Sequence, residues 1–343
     1  MERRDFLKNS LLTAGILGLG NQVFHGQPTS MVLGDEPAPP PVKPIPTYGD
    51  ARADYLTAYI YDSQKSAAWI RWKNATLTCY RAEALQKYPY FYPLNSLKSG
   101  LSLTSETGQP WPHHRSVFFG ADKVNGRNFW QNNPDKDRIV SKKLELGVIA
   151  AKSAELLNEC AWTPSGSDPI LADKRRFLLT ILNDETYTLD CYFELTALTE
   201  VTIKPSNHGL FGVRTTEDIS VDGGGTLVNS EGQERQENTL GKPAKWIASY
   251  GKRYGRGDGL IEGLAILAPP FEREPFKQGL WFTRNYGNFS PMPLNFMKSD
   301  IVLPQGDVLK LAYRIVAFTG DLDKDFFNKQ WDEFAAVSEG KRS

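Results

Sequence analysis

The sequence has few of the side chains that metal and thiol chemistry require. Its 343 residues include three cysteines and four histidines. Cys79, Cys160 and Cys191 form no C-x-x-C pair and have no histidine close in sequence, which gives little support to structural zinc or to a catalytic thiol. At most one disulfide is possible, so we interpret these cysteines as small, buried hydrophobic residues.

The chain also lacks net charge and long apolar runs. Forty Lys and Arg side chains balance forty Asp and Glu side chains, so no overall field favours nucleic acid or an anionic membrane. Beyond the N-terminal leader, no stretch of about twenty apolar residues is long enough to span a bilayer. We therefore predict no nucleic-acid partner and no membrane span, and we leave cofactors and oligomeric state open.

The N-terminus has the order of a bacterial export signal. Arg3 and Arg4 precede Phe-Leu-Lys and an apolar run from Leu11 to Leu19, which is too short to span a bilayer. This pattern resembles a twin-arginine signal, and the alternative is a basic start before a buried helix. We predict a signal over residues 1–30 and a periplasmic or otherwise extracytoplasmic protein.

Prolines separate this leader from the folded part of the chain. Six prolines lie between Glu36 and Pro46, and they favour an extended polyproline conformation without backbone donors. We predict a Pro-rich linker and lead-in over residues 31–66, within which residues 50–65 form either a short helix or a disordered segment. A β-sandwich domain is predicted over residues 67–320, and a C-terminal helix and tail over residues 321–343.

Apolar residues with a period of two dominate the middle of the chain. From Leu189 to Ala197 apolar and polar side chains alternate, which predicts a strand with one face on a core. Ala68–Trp72 and Thr76–Arg81 flank a turn and predict a hairpin, whereas Tyr88–Leu94 contains two prolines and is predicted to be an edge or irregular strand.

Many such segments, with turn signals about every ten residues, favour an all-β fold. We predict a large antiparallel β-sandwich, similar to a supersandwich, with one short helix at its C-terminal end. The helix is predicted over Asp325–Val337, where apolar side chains recur at spacings of three and four residues.

One stretch, from Trp111 to Trp130, gathers the side chains of a polar-ligand site. His113 and His114 can accept or donate a proton, and Arg115 can stabilise an oxyanion, so we predict that these three residues are catalytic. Adjacent side chains of an extended chain point to opposite sides. The two histidines can therefore act together only where the backbone kinks, which the preceding proline permits.

Further residues combine cationic, amide and aromatic side chains, a mixture that suits sugar rings but also occurs at strand ends for structural reasons. The predicted substrate-binding residues are Asn125, Trp130, Lys204, His208, Arg214, Trp281, Arg284 and Tyr286. The carboxylates that would tune a histidine are not placed by the sequence; the candidates are Asp122, Asp190, Glu194 and Glu262. The histidine spacing matches no standard zinc motif, so we predict no metal site.

Several blocks of residues occur in a specific order along the chain. They are Tyr90–Leu94, Pro112–Ser116, Phe118–Gly120, Val124–Gly126 with Phe129 and Trp130, Phe211–Arg214, Asn229-Ser230 with Gly232, Gly241-Lys242 with Trp246, and Trp281 with Arg284, Tyr286 and Gly287. In this order they resemble the bacterial PmoA-like family, often labelled methane oxygenase PmoA, over about residues 69–320. The resemblance implies a β-sandwich that handles sugars, with the mutarotase-type supersandwich as an analogy.

The resemblance has departures that bear on function. Phe282 and Asn285 stand where the family tends to have histidine and aspartate, and Ala268 begins the segment where an Asp-His-Pro is common. These replacements leave open whether the chain is catalytic. The name of the family suggests membrane copper oxidation, which the lack of a membrane span argues against.

Three functions follow from these observations. The first is an exported enzyme that acts on carbohydrate, of the lyase, hydrolase or epimerase type. The second is a non-catalytic module that binds sugar or a cell-envelope partner, and the third is a metal-dependent oxidase. The first two share one cleft, and this prediction is wrong if the His113–His114 segment lies far from Arg214 and Arg284.

Overall fold

Two antiparallel sheets of eight strands each make up most of the protein in the computed structural model. The structure describes residues 54–61, 65–131, 136–255, 259–271, 273 and 275–340. The predicted export signal lies outside the described residues, and so does the predicted Pro-rich linker apart from residues 54–61 and 65–66.

The first sheet, sheet 1, has the spatial order β1, β2, β3, β4, β5, β11, β16, β15. Strand labels follow chain order. The bounds of these strands are β1 Leu56–Ile60, β2 Ala67–Trp72, β3 Ala75–Arg81, β4 Tyr90–Leu94, β5 Val117–Ala121, β11 Gly209–Arg214, β16 Asn288–Ser290 and β15 Phe282–Arg284.

The second sheet, sheet 2, has the order β12, β13, β14, β18, β9, β8, β7, β6, and β10 pairs separately with β17. The bounds are β6 Arg138–Ala150, β7 Ser153–Thr163, β8 Leu171–Ile181, β9 Thr186–Ala197, β10 Val201–Ile203, β12 Thr226–Asn229, β13 Trp246–Lys252, β14 Ile261–Leu267, β17 Ile301–Leu303 and β18 Val308–Thr319. The α-helices are α1, Arg235–Thr239, and α2, Lys324–Gly340.

The inner faces of the two sheets share one hydrophobic core. Phe119 of sheet 1 stacks on Phe193 of sheet 2 with ring centroids 3.9 Å apart, and Phe211 stacks on Tyr313 at 4.5 Å. On β9 the side chains from Leu189 to Ala197 alternate between this core and the outside, as predicted. The prediction of an all-β sandwich is confirmed.

Helix α2 covers part of the outer face of sheet 2. Phe327 packs against Trp246 and Phe318, with ring centroids 5.3 Å and 5.2 Å apart. Within the helix, the spacing of three and four residues places Phe327, Trp331 and Phe334 on the side that faces the sheet. The predicted C-terminal helix is therefore confirmed and runs slightly longer than Asp325–Val337. No described helix combines the length and the apolar character that crossing a membrane requires.

One local prediction was wrong. Residues 56–60, predicted as helix or disorder, form strand β1, which pairs with β2 from Leu56↔Trp72 to Ile60↔Ala68. Sheet 1 therefore begins before residue 67. Strand β4, predicted to be an edge or an irregular strand, is the irregular one: it lies between β3 and β5, and its proline is tolerated because the ladder with β3 shifts register opposite that residue.

The cysteines behave as predicted. All three are buried and none forms a disulfide. Burial is the largest cause that raises the pKa of the thiols of Cys79 and Cys160 to about 12, so neither is a thiolate at neutral pH.

Candidate functional site

The sequence-predicted residues gather on the outer face of sheet 1, around β5 and β11. In β5 Phe119 faces the core, so its neighbour Phe118 faces outward. In β11 Phe211 faces the core, which places Arg214 on the same outer face as Phe118. We use the name histidine site for His113, His114, His208, Asp122 and Arg214.

The two adjacent histidines lie in a turn just before β5. The backbone N–H of His114 donates to the carbonyl of Trp111 over 3.0 Å, and the Tyr88 hydroxyl donates to the carbonyl of His113. The turn brings the imidazoles of His113 and His114 edge to face with centroids 4.5 Å apart. The kink that the preceding proline permits is therefore present, and the two side chains do meet.

The third histidine is paired with a carboxylate across neighbouring strands. His208 precedes β11 and Asp122 follows β5, and these strands pair through Gly209↔Ala121. The His208 Nδ1 lies 3.1 Å from Asp122 Oδ2, and its Nε2 lies 3.3 Å from Gln131 Nε2. The side chain of His208 is 23% exposed, so a ligand can reach the ring.

The structure selects one carboxylate among the four candidates. Asp122 bonds to His208, whereas Asp190 pairs with Arg314 and Glu262 pairs with Arg253 within buried networks. These two ion pairs stabilise the fold. Glu194 lies on the outer face of sheet 2.

Both histidines of the turn are neutral at neutral pH. Burial, with a smaller contribution from His208, lowers the pKa of His113 to about 4. Burial, followed by positive charge on His113, Arg214 and His208, lowers the pKa of His114 to about 2. In the described structure neither the His113 Nε2 nor the His114 Nδ1 has a hydrogen-bond partner.

Arg214 lies beside the histidine turn, where its positive charge acts on His114. Its residue is 5% exposed. Its Nη2 donates to the carbonyl of Gln109 over 2.8 Å, and its guanidinium lies 4.4 Å from the ring centroid of Tyr286. Within the described residues its Nε and Nη1 bond to nothing, and no carboxylate forms an ion pair with it. Burial lowers the pKa of Arg214. A buried and unpaired charge is costly to the fold.

Aromatic rings enclose the polar groups. The imidazole of His114 stacks between Phe118 and Tyr286, with centroids 5.9 Å and 6.3 Å away. Trp130 lies 6.2 Å from His208 and 6.3 Å from His114. Phe118 and Trp130 are themselves buried, so they frame the polar groups and present no exposed ring face. The prediction that Trp130 binds substrate therefore meets the same burial as that of Trp281.

Some predicted site residues lie elsewhere. Trp281 is fully buried and its indole N–H donates to the carbonyl of Ala244, so it belongs to the core and the prediction that it binds substrate was wrong. Asn125 holds its turn against β10 by bonding to the backbone of Glu200 and Thr202. The side chain of Lys204 is exposed.

Arg115 also departs from its predicted role. Its guanidinium donates to Gln86 and lies 5.4 Å from the ring centroid of Tyr90. The hydrogen-bond partner of Arg115 is therefore the side-chain amide of Gln86. The arginine whose charge acts on the imidazole of His114 is Arg214.

Arg214 lies beside the histidine turn, since Tyr286 contacts both His114 and Arg214. Arg284 and Arg214 both stand opposite Asn288, on β15 and β11 respectively. Asn288 was not found from the sequence because only strand register places it there. Asn285, one of the family departures, bonds to helix α1 through Gln236 and Glu237.

The described residues offer no standard metal site. They contain no group of three His, Cys, Asp or Glu side chains that could hold a metal ion. A groove of about 320 Å³ lies on the outer face of sheet 2, lined by side chains such as Lys174, Arg176 and Glu194. Its charges alternate in sign, Arg176 pairs with Glu155, and no histidine lines it.

The sequence profile of a family of unknown function, DUF6807, matches residues 68–332. A search of curated proteins finds no match. Solved structures similar to this chain include heparan sulfate lyase HepC from Pedobacter heparinus, with 10% identity, a TM-score of 0.35 and coverage of 79% of this chain. The chain spans 36% of that lyase.

Two sugar epimerases are also similar in structure. Galactose 1-epimerase from Lactobacillus acidophilus NCFM has 10% identity and a TM-score of 0.34, with coverage of 77% of this chain and 98% of the epimerase. A putative aldose 1-epimerase from Klebsiella pneumoniae has 7% identity and a TM-score of 0.31, with coverage of 80% and 81%.

Proposed function

The chain belongs to DUF6807, a family of unknown function, and we propose that it binds a carbohydrate at the histidine site and catalyses proton transfer on it. The observation that carries this proposal is the pair of His208 and Asp122, held at 3.1 Å beside the same histidine turn as Arg214, which has no ion pair among the described residues. An oriented base and a cation on one aromatic surface are the parts that such a reaction requires.

His208 is the proposed base. Asp122 accepts a hydrogen bond from Nδ1–H, which fixes the tautomer with the lone pair on Nε2. The amide Nε2 of Gln131, 3.3 Å away, is the donor to that lone pair, and the substrate proton takes its place. Proton uptake turns the ring into an imidazolium, which the carboxylate of Asp122 stabilises. Arg214 offsets the negative charge that develops on the substrate.

The arrangement favours a lyase or an epimerase over a hydrolase. Glycoside hydrolysis typically uses two carboxyl groups, one to protonate the leaving group and one to attack or to activate water. At the histidine site the carboxylate of Asp122 is already bonded to His208. A lyase or an epimerase instead begins by removing a proton from a sugar carbon, for which His208 is the base. In an epimerase a proton then returns to that carbon from the other face, and in a lyase the neighbouring C–O bond breaks and the leaving oxygen takes up a proton.

We propose as well that the reaction takes place outside the cytoplasm. The support is the order of Arg3, Arg4 and the apolar run that follows. A fusion of residues 1–50 to a reporter should be exported, and changing both arginines to lysine should retain it in the cytoplasm. Equal export of both fusions would contradict a twin-arginine signal.

Proton transfer is tested by following deuterium into a sugar. The full chain is incubated in D2O with a panel of neutral and acidic mono- and oligosaccharides, and carbon-bound deuterium or a new double bond is detected by NMR. His208→Asn keeps the donor to Asp122 but removes the base, so turnover should fall at least about a hundredfold while affinity stays within about tenfold.

Arg176→Gln is the matched control, because Arg176 stands over Tyr192 on the outer face of sheet 2. It should leave turnover unchanged. Binding without exchange or product for every sugar would refute the catalytic role and leave the binding module. No binding to any sugar would refute the proposal as a whole.

A further inference from the structure

The outer face of sheet 1 carries a series of arginines, each over an aromatic ring. The distances from guanidinium carbon to ring centroid are 5.2 Å for Arg81 over Tyr92, 5.4 Å for Arg115 over Tyr90, 4.4 Å for Arg214 over Tyr286 and 4.0 Å for Arg284 over Phe282. We name these four residues the arginine row. A cation over a ring combines a charge with an apolar face at each position.

Strand register shows that the row runs across the strands. Arg81 on β3 stands opposite Tyr90 on β4. At the other end Arg214 on β11 and Arg284 on β15 both stand opposite Asn288, on the strand between them. Six strands separated by about 4.8 Å give the row a length of about 24 Å, which accommodates more than one sugar unit.

Most of the row lacks counterions. Arg81 pairs with Glu106 at 2.7 Å, but within the described part of the chain the other three arginines form no ion pair. The Nε of Arg115 and the Nε and Nη1 of Arg214 are buried donors without partners.

Buried arginines elsewhere in the protein are neutralised. Arg175 pairs with Asp173 at 2.6 Å, Arg253 with Asp218 at 2.8 Å and Arg314 with Asp190 at 2.6 Å. The sequence thus provides carboxylates where a guanidinium serves only the fold. Their absence beside Arg214 indicates that the missing anion comes from a ligand.

We propose that the ligand of the histidine site is an acidic oligosaccharide, in which one uronate carboxylate binds Arg214, Asn288 and Arg284 and a further one binds Arg115. This inference rests on the proposed function, and it adds the substrate class. The planar fork of a guanidinium matches a carboxylate, and the ring under each guanidinium holds its plane in position. Arg214 Nη2 donates to the backbone carbonyl of Gln109. This carbonyl is neutral and therefore a weaker acceptor than a carboxylate, which replaces it when the ligand binds.

The placement of Arg214 in the histidine site favours a carboxylate over a sulfate ester. The hydrogen on the carbon next to a carboxylate is the one that this group acidifies. When the C–H bond breaks, the proton goes to Nε2 of His208 and the electron pair is delocalised onto the carboxylate, whose added charge Arg214 offsets. A sulfate ester offers the same charge but does not delocalise this electron pair.

Calorimetric titration of the full chain tests the inference. The probes are trimers of galacturonate, glucuronate and mannuronate, the methyl esters of the same trimers, and a sulfated neutral trisaccharide. We expect one trimer to bind at least about a hundredfold more tightly than its methyl ester and than the sulfated sugar. Arg115→Gln and Arg284→Gln should each weaken it about tenfold or more, and the effect should shrink at high salt.

The same control distinguishes the possible failures. Arg176 of sheet 2 also has its guanidinium over an aromatic ring, 5.3 Å from the centroid of Tyr192. Arg176→Gln should leave the affinity for the trimer unchanged. Equal binding of a trimer and its methyl ester, tighter binding of the sulfated sugar, or unaltered binding by the two row variants would overturn the inference while the carbohydrate proposal stands. No binding by any probe or neutral sugar would refute both the inference and the carbohydrate proposal. Thermal melts of each variant verify that it is folded.

Discussion

Acid should destabilise this protein through its buried histidines. His114 is 5% exposed and burial lowers its pKa to about 2, against an ordinary value of 6.5 in the unfolded chain. Below pH 6.5 the imidazole binds a proton in the unfolded chain but stays neutral in the folded protein. The contribution of neutral His114 to the free energy of unfolding is therefore fully present above pH 6.5 and is lost as pH falls below that value. At pH 4 this residue alone should lower the free energy of unfolding by about 3 kcal/mol.

The assay compares the chain with His114→Phe, which keeps a ring between Phe118 and Tyr286 but removes the titrating group. Urea unfolding at pH 7 and at pH 4 gives the acid loss for each protein. Carboxylates titrate in both and cancel in the difference, so the natural chain should lose about 3 kcal/mol more. Partly exposed His113, with a pKa of about 4, adds a smaller loss to both. Equal acid losses would refute the reasoning.

Three further predictions concern the fold. Gly287→Ala places a Cβ 2.1 Å from Thr215 Oγ1 at a φ of 90°, so the free energy of unfolding in urea should drop by at least about 2 kcal/mol, and an unchanged midpoint would contradict this. Arg175→Met leaves Asp173 buried without its cation and should cost about 3–5 kcal/mol, most of which Asp173→Leu in the same chain should restore. The three buried cysteines should not react with a thiol reagent until the chain unfolds, and labelling of the folded protein would be evidence against their burial.

The fold was largely predictable because its signals are local. Alternation in β9 and the short turn between β2 and β3 depend on residues close in sequence, and both occur as predicted. Strand β1 was missed because the prolines before it suggested a lead-in, although its residues suit a strand. The interior place of β4 depends on a register shift with β3, which no local pattern encodes.

The site was predictable only in part, because it depends on pairing between distant strands. Residue types were sufficient to nominate His113, His114 and Arg214. The bond between His208 and Asp122 joins residues 86 positions apart, and it requires the pairing of β5 with β11. The sequence also did not show that the ring of Trp281 enters the core. An aromatic residue beside a strand can face the core or a ligand, and composition does not distinguish the two.

Electrostatics links the proposed ligand to the histidine turn. The positive charge of Arg214 is one cause, after burial and His113, of the low pKa of His114, so this charge disfavours a proton there. A carboxylate bound to Arg214 offsets that charge, and by linkage it makes proton uptake by His114 easier. A neutral sugar leaves the field unchanged. An acidic sugar therefore supplies the counterion that Arg214 lacks among the described residues, and in doing so it raises the pKa of His114.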